Sequence, residues 1–141
     1  MMDAASFVSQ FRREPPGPAE TIEKLYSVGF WLYEQGRYAD AALAFRTMLR
    51  TAPHDERSWL ALGACHEQIN QFRIALELYG TGTAVVPGSV RCQIARARAL
   101  KLLGRDLEVE DALDAASRVA ADQDDEDLVR LVENERKITC R

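Results

Sequence analysis

The strongest constraint on this chain is a pattern written twice at one offset. Leu25, Val28, Gly29 and Leu32, then Ala41 and Phe45, then Pro53 are answered 34 residues later by Trp59, Leu62, Gly63 and His66, then Ala75 and Tyr79, then Pro87. A chain that repeats itself at such a period folds as a stack of like units, each burying its apolar face against the next. The spacing within a unit has a mechanical cause. Two antiparallel helices need a small residue (Gly29, Gly63) where they cross closely, and another (Ala41, Ala75) on the returning helix. A large side chain (Phe45, Tyr79) fills the space beside them, and a proline ends the second helix because its ring cannot continue it.

This is the tetratricopeptide signature. It predicts an all-α superhelix of three helix-turn-helix repeats with an N-terminal arm and a C-terminal capping helix. The 141 residues have room for one domain. Alanine-rich runs with few β-branched residues favour helix. A net charge of −4 supplies no overall reason to bind nucleic acid or an anionic membrane. No apolar run approaches the roughly 20 residues that span a bilayer, and Met1 to Phe11 lacks the pattern of a secretory signal. Cys65, Cys92 and Cys140 are odd in number and far apart, so reduced thiols are expected. These features together read as a cytoplasmic protein with no nucleic-acid partner and no stable membrane insertion.

Taken in order, residues 1–20 form an arm and elbow. Ala4 to Arg13 offers a short helix with Phe7, Val8 and Phe11 on one side, and Pro15, Pro16, Gly17 and Pro18 break it. Such an arm is either a cap on the first repeat, a homodimer contact, or a frayed terminus. The repeats follow at 21–54, 55–88 and 89–121. Thr21 is the expected N-cap of the first helix, which carries Ile22, Tyr26, Phe30, Trp31 and Tyr33 beyond what repeat packing needs. The third copy is eroded: Ala97, Val109 and Leu113 keep the register, but Gln93, Arg96 and Ala121 replace apolar anchors and the closing proline. Acids from Asp122 to Asp127, followed by Leu128, Val129, Leu131 and Val132, mark a capping helix over 122–141.

Enzyme chemistry lacks an inventory. His54 and His66 are the near-neutral bases, neither lies in a nucleophile motif, and there is no glycine-rich phosphate loop. A zinc site from His54, Cys65, His66 and Cys92 is disfavoured because adjacent residues on a helix point about 100° apart. No metal, cofactor or catalysis is expected.

The first helix of each pair lines the concave side of such a stack. Steps of 34 give three rows there: Tyr26, Leu60, Ile94; Phe30, Ala64, Arg98; Tyr33, Glu67, Lys101. The groove is aromatic at its N-terminal end and cationic at the other, where Arg91, Arg98, Lys101 and Arg105 lie with no acid between Gly88 and Arg105. An extended peptide with apolar side chains suits the aromatic half. The cations either steer an acidic segment or pair with Asp124, Asp125 and Asp127.

The run from Leu25 to Phe30, with Tyr33 to Tyr38, Ala44, Phe45 and Trp59 to Gln68, resembles the class II chaperones of bacterial type III secretion, the SycD and IpgC type. The resemblance covers about Leu25 to Leu113. It implies a cytoplasmic chaperone that holds hydrophobic translocator subunits before export, taking a short proline- and leucine-containing segment in the concave groove, often as a homodimer through N-terminal helices. The matching groove positions are Tyr26, Phe30, Tyr33, Leu60, Ala64 and Glu67. The alternatives are a general repeat adaptor or scaffold, and a chaperone for a secretion effector or needle subunit. Carboxylate-gripping adaptors resemble one another in placing lysine and asparagine where this chain has Tyr26 and Phe30, which disfavours the first.

Overall fold

A computed structural model describes residues 17–140; the expected arm helix over 4–13 lies outside them. Seven helices follow in order among the described residues. They are α1 (Pro18–Glu34), α2 (Tyr38–Thr51), α3 (Glu56–Gln68), α4 (Phe72–Val85), α5 (Val90–Leu102), α6 (Asp106–Asp122) and α7 (Glu126–Thr139). Each packs on its sequence neighbour, and α7 also packs on α5, so it takes the place that the first helix of a fourth repeat would hold.

Local chemistry sets the boundaries. Pro18 opens α1 at its first turn, where a missing N–H costs nothing, with Gly17 as N-cap. Thr21 is therefore not the N-cap expected from the sequence; it lies one turn inside, its Oγ1 donating to the Gly17 carbonyl at 3.1 Å. Asp55, Ser89 and Asp125 cap α3, α5 and α7 by accepting backbone N–H groups with their side chains. The turns within the pairs share one device. Gly36, Asn70 and Gly104, spaced by 34, hold φ of 75°, 61° and 72°. That left-handed region is free for glycine and accessible to asparagine, which is why those residue types recur there.

The pairs close as the repeat pattern requires, with a sharper cause than helix crossing alone. A Cβ on Gly29 would lie 2.5 Å from Cε1 of Phe45, and one on Gly63 2.2 Å from Cε1 of Tyr79. The glycines exist to admit aromatic rings. In the third pair Leu113 takes the place of the ring, and the facing residue is accordingly Ala97, both fully buried. Ala41, Ala75, Phe45 and Tyr79 are buried as well. Val28, expected in the packing stripe, is instead 53% exposed, and Trp31 is 55% exposed. The reason is position: α1 begins the described stack and has only α2 closely on it.

Polar contacts tie successive units at the same period. Arg57 donates to Glu23, Ser89 Oγ to Glu56, Gln68 to the Tyr33 hydroxyl and Gln123 to the Gly88 carbonyl, at sequence separations of 33 to 35. No described helix is long and apolar enough to cross a membrane.

Candidate groove between the first and second repeats

Helices α3 and α5 approach one another more closely than α1 and α3 do. The wider gap opens a cavity of about 530 Å³, lined by Tyr26, Phe30 and Tyr33 of α1, Phe45 of α2, Leu60, Ala61 and Ala64 of α3, and the charged residues Glu56, Arg57 and Arg91. Its size falls within the roughly 300–1,000 Å³ of ligand-binding clefts. The aromatic wall is braced: Tyr26 stacks on Phe30 with ring centroids 6.2 Å apart and meets Phe45 at the same distance, while Tyr33 stands edge-on to Tyr38 at 5.2 Å. Phe30 is nonetheless 47% exposed, leaving an aromatic face for an incoming apolar side chain.

Arg57 fixes one rim. Its guanidinium sits 4.8 Å from the Tyr26 ring centroid, donates to Glu23 Oε1 at 2.7 Å and to Asp55 Oδ2 at 2.8 Å, and so locks the tyrosine from above. The Arg57 hydrogen bonds hold the Asp55 and Glu23 carboxyls below their usual range. Beyond the cavity, half-buried Glu67 accepts from the Tyr79 hydroxyl at 3.0 Å. Burial raises the Glu67 carboxyl, against the opposing pull of Tyr79 and Arg98. His66 Nδ1 pairs with Gln71 Oε1 at 2.7 Å, and Cys65 is buried, its thiol pushed up to about 11 by desolvation.

Comparison with known proteins places this architecture. Residues 32–99 match the tetratricopeptide-repeat family model. The low calcium response locus protein H of Yersinia pestis is 31% identical over 105 residues, which is 74% of this chain and 62% of that one. The chain thus spans less than two thirds of that curated relative's length. The crystal structure of the Yersinia enterocolitica type III secretion chaperone SycD with a peptide of the translocator YopD superposes with a TM-score of 0.70 at 28% identity, over 84% of this chain and 92% of that one. PcrH of Pseudomonas aeruginosa, in complex with the chaperone-binding region of PopD, matches with the same TM-score and identity over 86% and 92%. In sequence and fold the chain resembles these type III secretion chaperones.

In this chain the structure brings together five of the sequence-derived groove residues, Tyr26, Phe30, Tyr33, Leu60 and Ala64, around one cavity. Glu67 stands beside it rather than in its wall. The far half of the expected groove is corrected. Ile94 is only 5% exposed, packed with Ala116, Ala120, Val132 and Leu128. Arg98 donates to Glu135 of α7 at 2.6 and 2.7 Å, and Lys101 pairs with Asp106 at 3.2 Å. Neither lines the cavity, and neither reaches Asp124, Asp125 or Asp127, the other partners that the sequence offers. The cause is α7: continuing the rows by 34 puts Leu128 after Ile94, Val132 after Arg98 and Glu135 after Lys101. The missing acids come from this helix and from α6. Arg105 pairs with Glu108. Arg57 and Glu56 do not stand out in the sequence, although Glu23 and Arg57 are 34 apart and so face one another across the repeat boundary.

The clasp between Arg98 and Glu135 carries a testable consequence. Glu135 is 4% exposed and Arg98 60% at the side chain, so removing the guanidinium strands a buried carboxylate. The hydrogen bonds from Arg98 hold the Glu135 carboxyl below its usual range, with burial opposing. A depressed folded-state pKa contributes stability above the unfolded value of about 4.3, and that contribution is lost as pH falls through the lower folded value. Arg98→Met is therefore expected to cost about 1–3 kcal/mol at neutral pH. Thermal melts should show this deficit shrinking as the medium is acidified and Glu135 takes up its proton, first in the variant, where burial acts without the guanidinium. A deficit that stays constant with pH would contradict the assignment.

Proposed function

We propose that this protein is a cytoplasmic, non-catalytic secretion chaperone that binds an extended segment of hydrophobic type III translocators in the cavity between α1 and α3. The observation that carries this reading is the braced aromatic wall of Tyr26, Phe30 and Tyr33 facing Leu60 and Ala64, a surface that repeat packing leaves open. Holding such a segment keeps an aggregation-prone client soluble and export-competent, because the client's apolar side chains exchange water for the aromatic wall. Relatives of the same fold are described with peptides of YopD and PopD, which supports a translocator over an effector or needle subunit. The groove residues are Tyr26, Phe30, Tyr33, Leu60 and Ala64, with Glu67 at its end. Homodimerisation is part of the proposal, supported by exposed Val28 and Trp31 on α1 and by the description of a SycD dimer.

The test is co-expression with each hydrophobic translocator of the native host, beside an effector and the needle subunit. The translocator should move from the insoluble to the soluble fraction and co-elute with the chaperone. Solubilisation confined to the effector or needle subunit would favour the alternative, and failure with all three would overturn the reading.

A further inference from the structure

The two arginines on the cavity wall differ in how far their donors are committed. Arg57 is saturated: its Nε, Nη1 and Nη2 all donate, to Asp55 and Glu23, and its charge is matched twice over. Arg91 occupies the same position one repeat later, but without those partners. It is 63% exposed at the side chain, and its contact is a 3.7 Å approach of Nε to Glu56 Oε1, too long for a hydrogen bond. Glu56 is itself engaged elsewhere, its Oε2 accepting from Ser89 Oγ at 2.6 Å. Among the described residues Arg91 therefore presents a guanidinium whose N–H groups lack a hydrogen-bonded acceptor, at the edge of an apolar cavity.

We infer that Arg91 is the charge-reading residue of the groove, and that the segment it selects carries a carboxylate beside its apolar anchor. This rests on the peptide-groove reading above. A guanidinium presents its donors in a planar fork that matches a carboxylate bidentately, and such charge-assisted bonds are stronger than neutral ones. Arg91 gives up little hydration to form them because it stays partly in water, and the one interaction it surrenders, with Glu56, is long. The aromatic wall thus supplies affinity for the apolar side chain, and Arg91 supplies register along the peptide. Arg98, Lys101 and Arg105 cannot share the role, since each is hydrogen-bonded to an acid of the fold.

The probe is a set of short synthetic peptides with one proline and one leucine in an otherwise uncharged sequence, with aspartate placed in turn at each position flanking the leucine and an asparagine twin for each. Fluorescence anisotropy against the full chain should show one aspartate position favoured over its twin by about three- to fivefold at low salt, the range of an exposed ion pair, with the preference fading at high salt. Arg91→Gln should abolish the preference for aspartate over its twin, with an unchanged circular-dichroism melt verifying the fold. Glu56→Gln should enlarge the preference by removing the competing carboxylate. Equal binding of every aspartate peptide and its twin, or a preference that survives Arg91→Gln, would overturn the inference while sparing the groove. Absence of binding by all the peptides to wild type would overturn both.

Discussion

Gly63→Leu should unfold or nearly unfold the protein, and Gly63→Ala should already cost about 1–3 kcal/mol, the range for overpacking a filled core. The cause is one contact: a Cβ at this position would sit 2.2 Å from Cε1 and 2.5 Å from Cζ of Tyr79, a ring that is 2% exposed and hydrogen-bonded to Glu67. The ring cannot swing away without breaking that bond and entering a filled core. The third repeat shows how the conflict resolves, since Ala97 faces Leu113 in the same register. Combining Gly63→Ala with Tyr79→Leu should therefore cost less than the sum of the two single changes, with a coupling of about 1 kcal/mol or more in a double-mutant cycle. Urea denaturation of the four proteins measures it. Additive single-mutant costs would mean that the Tyr79 ring does not set the size of residue 63.

That contact also shows how much of the molecule is legible in the sequence. Gly29, Gly63, Ala41, Ala75, Phe45 and Tyr79 are readable because a repeat writes each packing rule more than once, and the recurrence at 34 residues separates a rule from an accident. The turns are legible for the same reason, with Gly36, Asn70 and Gly104 sharing a left-handed backbone. Five aromatic or apolar groove residues follow directly from the rows. The expectations that fail do so at the ends of the stack, where a position loses or gains a neighbour. Val28 is exposed because no described helix precedes α1, and Ile94 is buried because α7 follows α5. The charges on α5 look unpaired in the sequence only because its local stretch holds no acid; Glu135 lies 37 residues from Arg98 and becomes its partner through packing of α7. Extending the rows one step further places Glu135 on that face, but not its bond to Arg98, which runs diagonally between rows. Arg57 is hidden for a related reason, since its acid Glu23 lies on a different repeat and pairing within a helix does not find it.

The arrangement links fold to function through one asymmetry. At the C-terminal end of the stack α7 fills the concave side, and the clasp of Arg98 with buried Glu135 closes it. Between α1 and α3 the side chains are large but the helices stand apart, so the aromatics brace one another without filling the gap. Client binding is accordingly expected to concentrate in the first half of the stack, and its energy in a few residues there.

Calorimetric titration of a translocator's chaperone-binding segment into wild type and into the Tyr26→Ala, Phe30→Ala double variant tests this most directly. These two rings stack on one another and form the open wall of the cavity, so truncating both should weaken binding by about 2–4 kcal/mol, the scale of aromatic hot spots. The helical signal should stay near normal, because Phe30 is only about half-buried and Phe45 remains to fill the space beside Gly29. The account predicts at least about a thirtyfold loss of affinity with the fold retained. Unchanged affinity in a folded variant would contradict it and remove the cavity between α1 and α3 as the client site.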